Sequence, residues 1–206
     1  MLAPKQSLLH AATVLLVMIL GSQILESPLA SAQAKTQSGT QKEAPYKEEP
    51  PDVPDTIAVP AGQEVVLYAH ATGSQIYTCQ PAADGKFAWT LKAPEAELHD
   101  RKDKVIGTHS AGPTWKLKDG SEVTGKAVAH VDSLDGESIP WLLVNVVGHA
   151  GKGLLTAVTT IQRVRTHGGM PPNDLCDAAH VNTESKSSYS ADYYFYAPAK
   201  ESDEAK

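Results

Sequence analysis

The sequence predicts an all-β protein, an antiparallel β-sandwich or barrel with at most one or two short helices. Three observations carry this. Apolar side chains recur at every second position rather than at helical spacing. Asp-Gly and other glycine turns interrupt those runs at short intervals. No long stretch carries a capped, sustained amphipathic stripe of the kind a stable helix needs.

Each element follows from its own pattern. Phe87, Trp89 and Leu91 alternate with Lys86, Ala88, Thr90 and Lys92, after an Asp84-Gly85 turn. The segment Ala93–Arg101, rich in Ala and Glu, is the best short helical or turn candidate, and Ala178–His180 is a weaker one. Trp115 and Leu117 alternate with Lys116 and Lys118, and Asp119-Gly120 then separates them from Val123–His130. That dipeptide is the strongest hairpin signal in the chain. Trp141–Val147 is apolar on both faces, as a central strand covered on two sides would be. Val158–Arg165 is β-branched but out of phase, so a bulge is expected within it. Tyr189, Ala191, Tyr193, Phe195 and Ala197 line one face of a last strand. Tyr194 and Tyr196 lie on its other face and are the aromatics expected to be exposed if one face alone is covered.

Composition sets the class. The chain has 206 residues, 41% hydrophobic and 20% charged, with a formal net charge of −6. These values suit one soluble domain and exclude collagen-like, coiled-coil and polytopic membrane classes. The acidic balance argues against a partner of duplex nucleic acid, whose binders are usually basic.

The N-terminus reads as an export signal. Lys5 precedes an apolar run from Ala11 to Leu20, then Ser27-Pro28 and the small-residue site Ala32-Gln33-Ala34. The run would form a helix of roughly 15 Å, about half the hydrocarbon core, so a retained membrane span is disfavoured. Cleavage is expected after Ala34, with no nearby Cys for a lipid anchor. The expected layout is a signal peptide (1–34), a disordered polar spacer (35–55), one β domain (56–198) and a flexible tail (199–206). Localisation is expected to be periplasmic or extracellular. In such an oxidising compartment Cys79 and Cys176, the two cysteines of the chain, are expected to form one disulfide.

Several ordered motifs then become familiar. They are Gly112-Pro113-Thr114-Trp115 with Asp119-Gly120-Ser121, and Ile139-Pro140-Trp141-Leu142-Leu143. Ile161-Gln162-Arg163-Val164 follows, leading to Thr166-His167-Gly168-Gly169 and Cys176-Asp177, and last comes the run from Tyr189 to Tyr196. In this order they resemble the domain-of-unknown-function 3455 family of exported bacterial and fungal proteins, over roughly Val59 to Tyr196. The resemblance implies export and a single mostly-β domain. It brings no established activity and no catalytic residues. Some fungal relatives are labelled malate dehydrogenases, but this sequence has neither a G-x-G-x-x-G after a strand nor a βαβ pattern.

Candidate chemistry is sparse. His109 and Ser110 stand beside Trp115, yet neighbours on an extended chain face opposite ways, so His109 is not placed to activate Ser110. A structural turn with His109 bonded to backbone is the competing reading. The histidines show no metal-ligand spacing, so neither a metal site nor a cofactor is expected. Gly148–Gly153 lacks the Ser or Thr of a phosphate loop and reads as a hairpin loop. Arg163 and Arg165 share one face of an extended strand and could clamp an anion, or pair with carboxylates across strands. The leading expectation is a non-enzymatic exported module binding a small ligand or a cell-envelope component. The ligand would meet His109, Trp115, Asp119, Arg163 and Arg165. That surface requires Arg163 and His109 to share a cleft. The alternatives are an exported hydrolase using His109, or His99 with Asp100, as acid or base, and a structural or adhesive envelope protein.

Overall fold

The computed structural model describes residues 48–200. The expected signal peptide and most of the expected spacer lie outside them, as do the last residues of the tail. Eight strands follow in chain order: β1 Gln63–Pro81, β2 Phe87–His99, β3 Val105–Ser110, β4 Thr114–Leu117, β5 Glu122–Val131, β6 Trp141–Ala150, β7 Thr160–Gly168 and β8 Glu184–Pro198. Each pairs antiparallel with its neighbour in sequence, and β8 returns to β1. The all-β protein is thus a closed up-and-down barrel. Among the described residues no helix is long and apolar enough to cross a membrane.

Alternation on β8 shows how the barrel fills. Tyr189, Ala191, Tyr193 and Phe195 point inward and join Leu98, Trp115, Val123, Val144 and Ile161 in the main core. The facing strand supplies small residues: Ala69 stands opposite Tyr193 and Gly73 opposite Tyr189. Large against small is how a narrow barrel accommodates aromatic rings. A Cβ at Gly73 would lie 2.2 Å from the Glu95 carbonyl oxygen, so nothing larger fits there.

The outer face of β8 is covered too. Tyr194 and Tyr196 are 2% and 3% exposed, against the expectation of exposure. They pack with Ile57, Val65, Trp141 and Val164, and Val53 and Val59 join them. The cover is the stretch around a 3₁₀ turn, Asp55–Ile57, lying across the barrel wall. Gln162 fixes it by donating from Nε2 to the Ile57 carbonyl at 2.7 Å, and Gln162 Oε1 accepts from the Tyr196 hydroxyl.

Ala93–Arg101 is the second departure from expectation. Its residues as far as His99 belong to β2, with Ala96 and Leu98 inward and Glu95 and Glu97 exposed. Pairing with β1 overrides the helix propensity of Ala and Glu. The expected bulge in β7 is present: register against β8 shifts between Val164 and His167, and Arg165 has φ 48°.

Unequal strand lengths open the wall. β3 meets β2 only over Ala96–His99, and β4 meets β5 only over Glu122–Thr124. The stretch of β2 before Ala96 therefore pairs with β1 alone, and β5 beyond Gly125 pairs with β6 alone. A slot lies between them above the Gly112-Pro113 turn.

The two ends of the barrel close differently. At one end a 3₁₀ turn, Leu154–Ala157, drives Leu155 and Val158 into the core. At the other, the loop between β7 and β8 folds over the top. The Cys79–Cys176 disulfide pins it, with Cα atoms 5.5 Å apart, as the cysteine arithmetic anticipates. The Tyr77 hydroxyl donates to the Gly169 carbonyl at 2.7 Å, and Trp89 Nε1 donates to that of Asp174 at 2.9 Å.

Candidate functional site

Inside the slot lies a cavity of about 500 Å³, within the range of small-molecule sites. Every strand contributes to its lining. Leu91, Ala93 and Pro94 of β2 form one wall and Gly125 and Ala127 of β5 the facing one. Leu142, Val144, Arg163, Tyr193 and Gln75 lie behind them.

His109 and Trp115 are opposite partners across β3 and β4. Their rings stack at 4.4 Å and 9°, and Tyr193 presents its ring at steep angles to both. His109 is 3% exposed and its Nδ1 donates to the Thr114 carbonyl at 2.9 Å. Burial pushes its pKa down to about 4; the Arg163 charge acts in the same direction and the Thr114 carbonyl opposes. The ring is neutral at pH 7, with the Nε2 lone pair available as an acceptor.

Arg163 reaches the cavity from β7. Its Nε and Nη2 donate to the Pro140 carbonyl at 3.2 and 2.8 Å. Among the described residues no carboxylate lines the cavity, whereas Lys92 and Lys126 do. Three buried polar atoms here lack a hydrogen-bond partner: Gln75 Oε1, Trp115 Nε1 and the Tyr193 hydroxyl. The Tyr193 hydroxyl lies near Arg163 and Tyr189 but in good hydrogen-bond geometry with neither. Each such atom costs about 1–3 kcal/mol, so native proteins keep few of them.

Of the residues expected to bind, His109, Trp115 and Arg163 meet in this cavity, so the cleft their pairing requires exists. Asp119 does not join them. It sits at the plugged end, where Oδ2 accepts from Leu154 N–H at 2.8 Å and Oδ1 accepts from the backbone and hydroxyl of Ser121. Its turn chemistry is real, but it serves the plug. Arg165 is also elsewhere. The bulge turns it out of the barrel, where Nη1 bonds Asp192 Oδ2 at 3.2 Å and the Tyr194 hydroxyl at 2.8 Å. The two arginines therefore occupy opposite faces, not the shared one expected from their spacing.

Residues that sequence reasoning missed are Gln75 and Tyr193. Gln75 is a fully buried amide in phase with the inward Ala69, Ala71 and Gly73 of β1. A polar residue at an inward position was the signal available.

The pairs a hydrolase would need are not assembled at the cavity floor. His109 has no carboxylate partner there, and Asp100 Oδ1 accepts from the backbone of Lys102 and Lys104 rather than from His99. A His–carboxylate pair does form between His70 Nδ1 and Asp192 Oδ1 at 2.8 Å. It lies on the outer face, where Tyr68 and Arg165 share the same carboxylate. Among the described residues no three His, Cys, Asp or Glu side chains gather as a metal ion would require.

A family model described as "Protein of unknown function (DUF3455)" matches residues 60–197. No curated protein and no solved structure matches the chain.

Proposed function

This chain belongs to the DUF3455 family, described only as proteins of unknown function, so we propose its role from the cavity itself. It is a non-enzymatic binding module that takes a small, largely apolar molecule into the barrel through the slot between β2 and β5. The observation that carries this reading is a cavity of about 500 Å³ with apolar walls, surrounding a few convergent, unpaired polar groups. That is the ordinary composition of a ligand site.

Export completes the reading. The Cys79–Cys176 bond suits an oxidising compartment, and Lys5, the apolar run after it and Ala32-Gln33-Ala34 supply the signal. The module works outside the cytosol on whatever solute reaches it there.

Titrating the purified protein with the neutral dye N-phenylnaphthylamine tests the binding. Fluorescence should rise and saturate, and Ala127→Trp, which places a bulky ring at the slot, should abolish the rise with the melting temperature unchanged. Saturable binding that survives this substitution would place the ligand elsewhere.

A further inference from the structure

We propose that the molecule held in the barrel is a monocarboxylic acid with an apolar body, its carboxylate seated on Arg163. The inference rests on the binding reading above and adds the chemical class of the ligand.

The argument begins with charge. A guanidinium half-buried among apolar walls has lost part of its hydration, and such a cation is normally offset by a carboxylate. Arg165, two positions along, has that partner in Asp192. Arg163 has a single neutral acceptor, the Pro140 carbonyl, which occupies Nε and one N–H of Nη2. The Nη1 donors face no acidic group of the cavity lining. A ligand carboxylate supplies what the chain omits, and its two oxygens suit the planar fork of an arginine.

The neighbouring groups select for the same head. Trp115 Nε1–H is a donor only, and the Tyr193 hydroxyl can donate. Both residues line the cavity and are at least 98% buried, and neither polar atom has a partner, so an oxygen-rich anion that displaces the packing over them gains a bond from each. Among the described residues the lining holds no acid to repel it, and Lys126 lies exposed at the rim on the approach, while Lys92 is paired with Glu184. One buried cation balances one negative charge. A dianionic phosphate would keep an uncompensated charge in an apolar lumen, which is costly. The body of the ligand rests on Leu142, Val144 and Pro94, none of which offers a side-chain hydrogen bond.

Matched pairs of probes test the class: decanoate against decanol, and naphthoate against naphthalenemethanol, titrated by calorimetry. The acid of each pair should bind about tenfold or more tightly than its alcohol, the gain of a hydrogen bond to a charged group. Arg163→Gln should bring that ratio close to one while alcohol binding persists. Lys92→Gln and Lys126→Gln should leave most of it. Tyr193→Phe should weaken the acid several-fold without lowering the melting temperature, which a purely structural hydroxyl would lower. Equal affinity for acid and alcohol in the unaltered protein overturns the proposal but leaves the binding module standing. A preference that disappears with the lysines instead of Arg163 also overturns it. Failure of all four probes to bind overturns both. Should Arg163→Gln not fold, the acid-to-alcohol ratio of the unaltered protein and the Tyr193→Phe result decide the matter.

Discussion

The two ends of this barrel are built to different standards of polar pairing. At the plugged end the polar groups around Asp119 find partners. Its carboxylate takes N–H groups from Leu154 and Ser121, Ser121 Oγ accepts from Leu155, and Thr156 bonds Gly153. Those bonds, the Leu154 N–H foremost, hold the Asp119 carboxyl below its ordinary range. Gln75, Trp115, Tyr189 and Tyr193 keep unpaired atoms, three of them on residues that line the cavity. The same chain can satisfy buried polar groups, so clustering of the exceptions is informative. They coincide with an arginine that has no carboxylate partner among the described residues, and that coincidence is what the proposed site rests on.

The largest effect expected is at the cavity end. Replacing Cys79 and Cys176 by Ser frees a connection 97 residues apart in sequence and should lower stability by about 4.7 kcal/mol in the chain-entropy model. Urea unfolding measures it. Hydrogen exchange should show the loosening in the β7–β8 loop and not at the Asp119 plug; equal loosening at both ends would erase the contrast.

Next comes acid. His109 has a folded pKa of about 4, below its unfolded value, so the unfolded chain binds the extra proton first. Its neutral-state stability is complete above about pH 6.5 and is lost as pH falls toward 4, by about 3 kcal/mol in all. His109→Gln should flatten stability across that window, and an unchanged slope would mean the ring is not buried as described. The carboxylates with depressed pKa, Asp119 among them, lose their contribution at lower pH, as pH falls below their ordinary values.

A smaller loss is expected from Asp119→Ala, about 1–2 kcal/mol, through the lost bonds to the buried Ser121 and to the solvent-facing N–H of Leu154. Decanoate affinity should not move, because the plug and the cavity are separate. The smallest effect is a matched deletion of hydroxyls. Tyr196→Phe removes a donor to Gln162 and should cost about 1 kcal/mol, whereas Tyr193→Phe removes an unpaired group and should be neutral or stabilising. Equal losses in thermal unfolding would show that Tyr193 is satisfied after all.

Much of this fold was legible because its strands are covered unevenly along the sequence. Period two stood out in β2, β4 and β8, and the Asp119-Gly120 turn fell where expected. The choice between sandwich and barrel was not legible, since it depends on β8 closing onto β1 across most of the chain. The exposure of Tyr194 and Tyr196 was misjudged because the residues that bury them, Val53 to Val59, carry no pattern of their own. Arg165 was misplaced by a single residue of left-handed backbone, which alternation does not encode. His109, Trp115 and Arg163, which line one cavity, were singled out because a Gly-Pro turn beside a tryptophan and a cation on an apolar strand are local anomalies. Tyr193 hid among the five buried aromatics of one strand, where a hydroxyl looks like packing.

The short β3 and β4 leave two strand margins with unmatched backbone groups. Such margins invite a second polypeptide to dock by backbone pairing and seed aggregates. Pro94, which has no N–H to offer, interrupts one margin, and lysines at 92 and 126 stand on both. Copies of the molecule meeting there bring their exposed Lys126 side chains together, which works against edge-to-edge pairing at the proposed doorway.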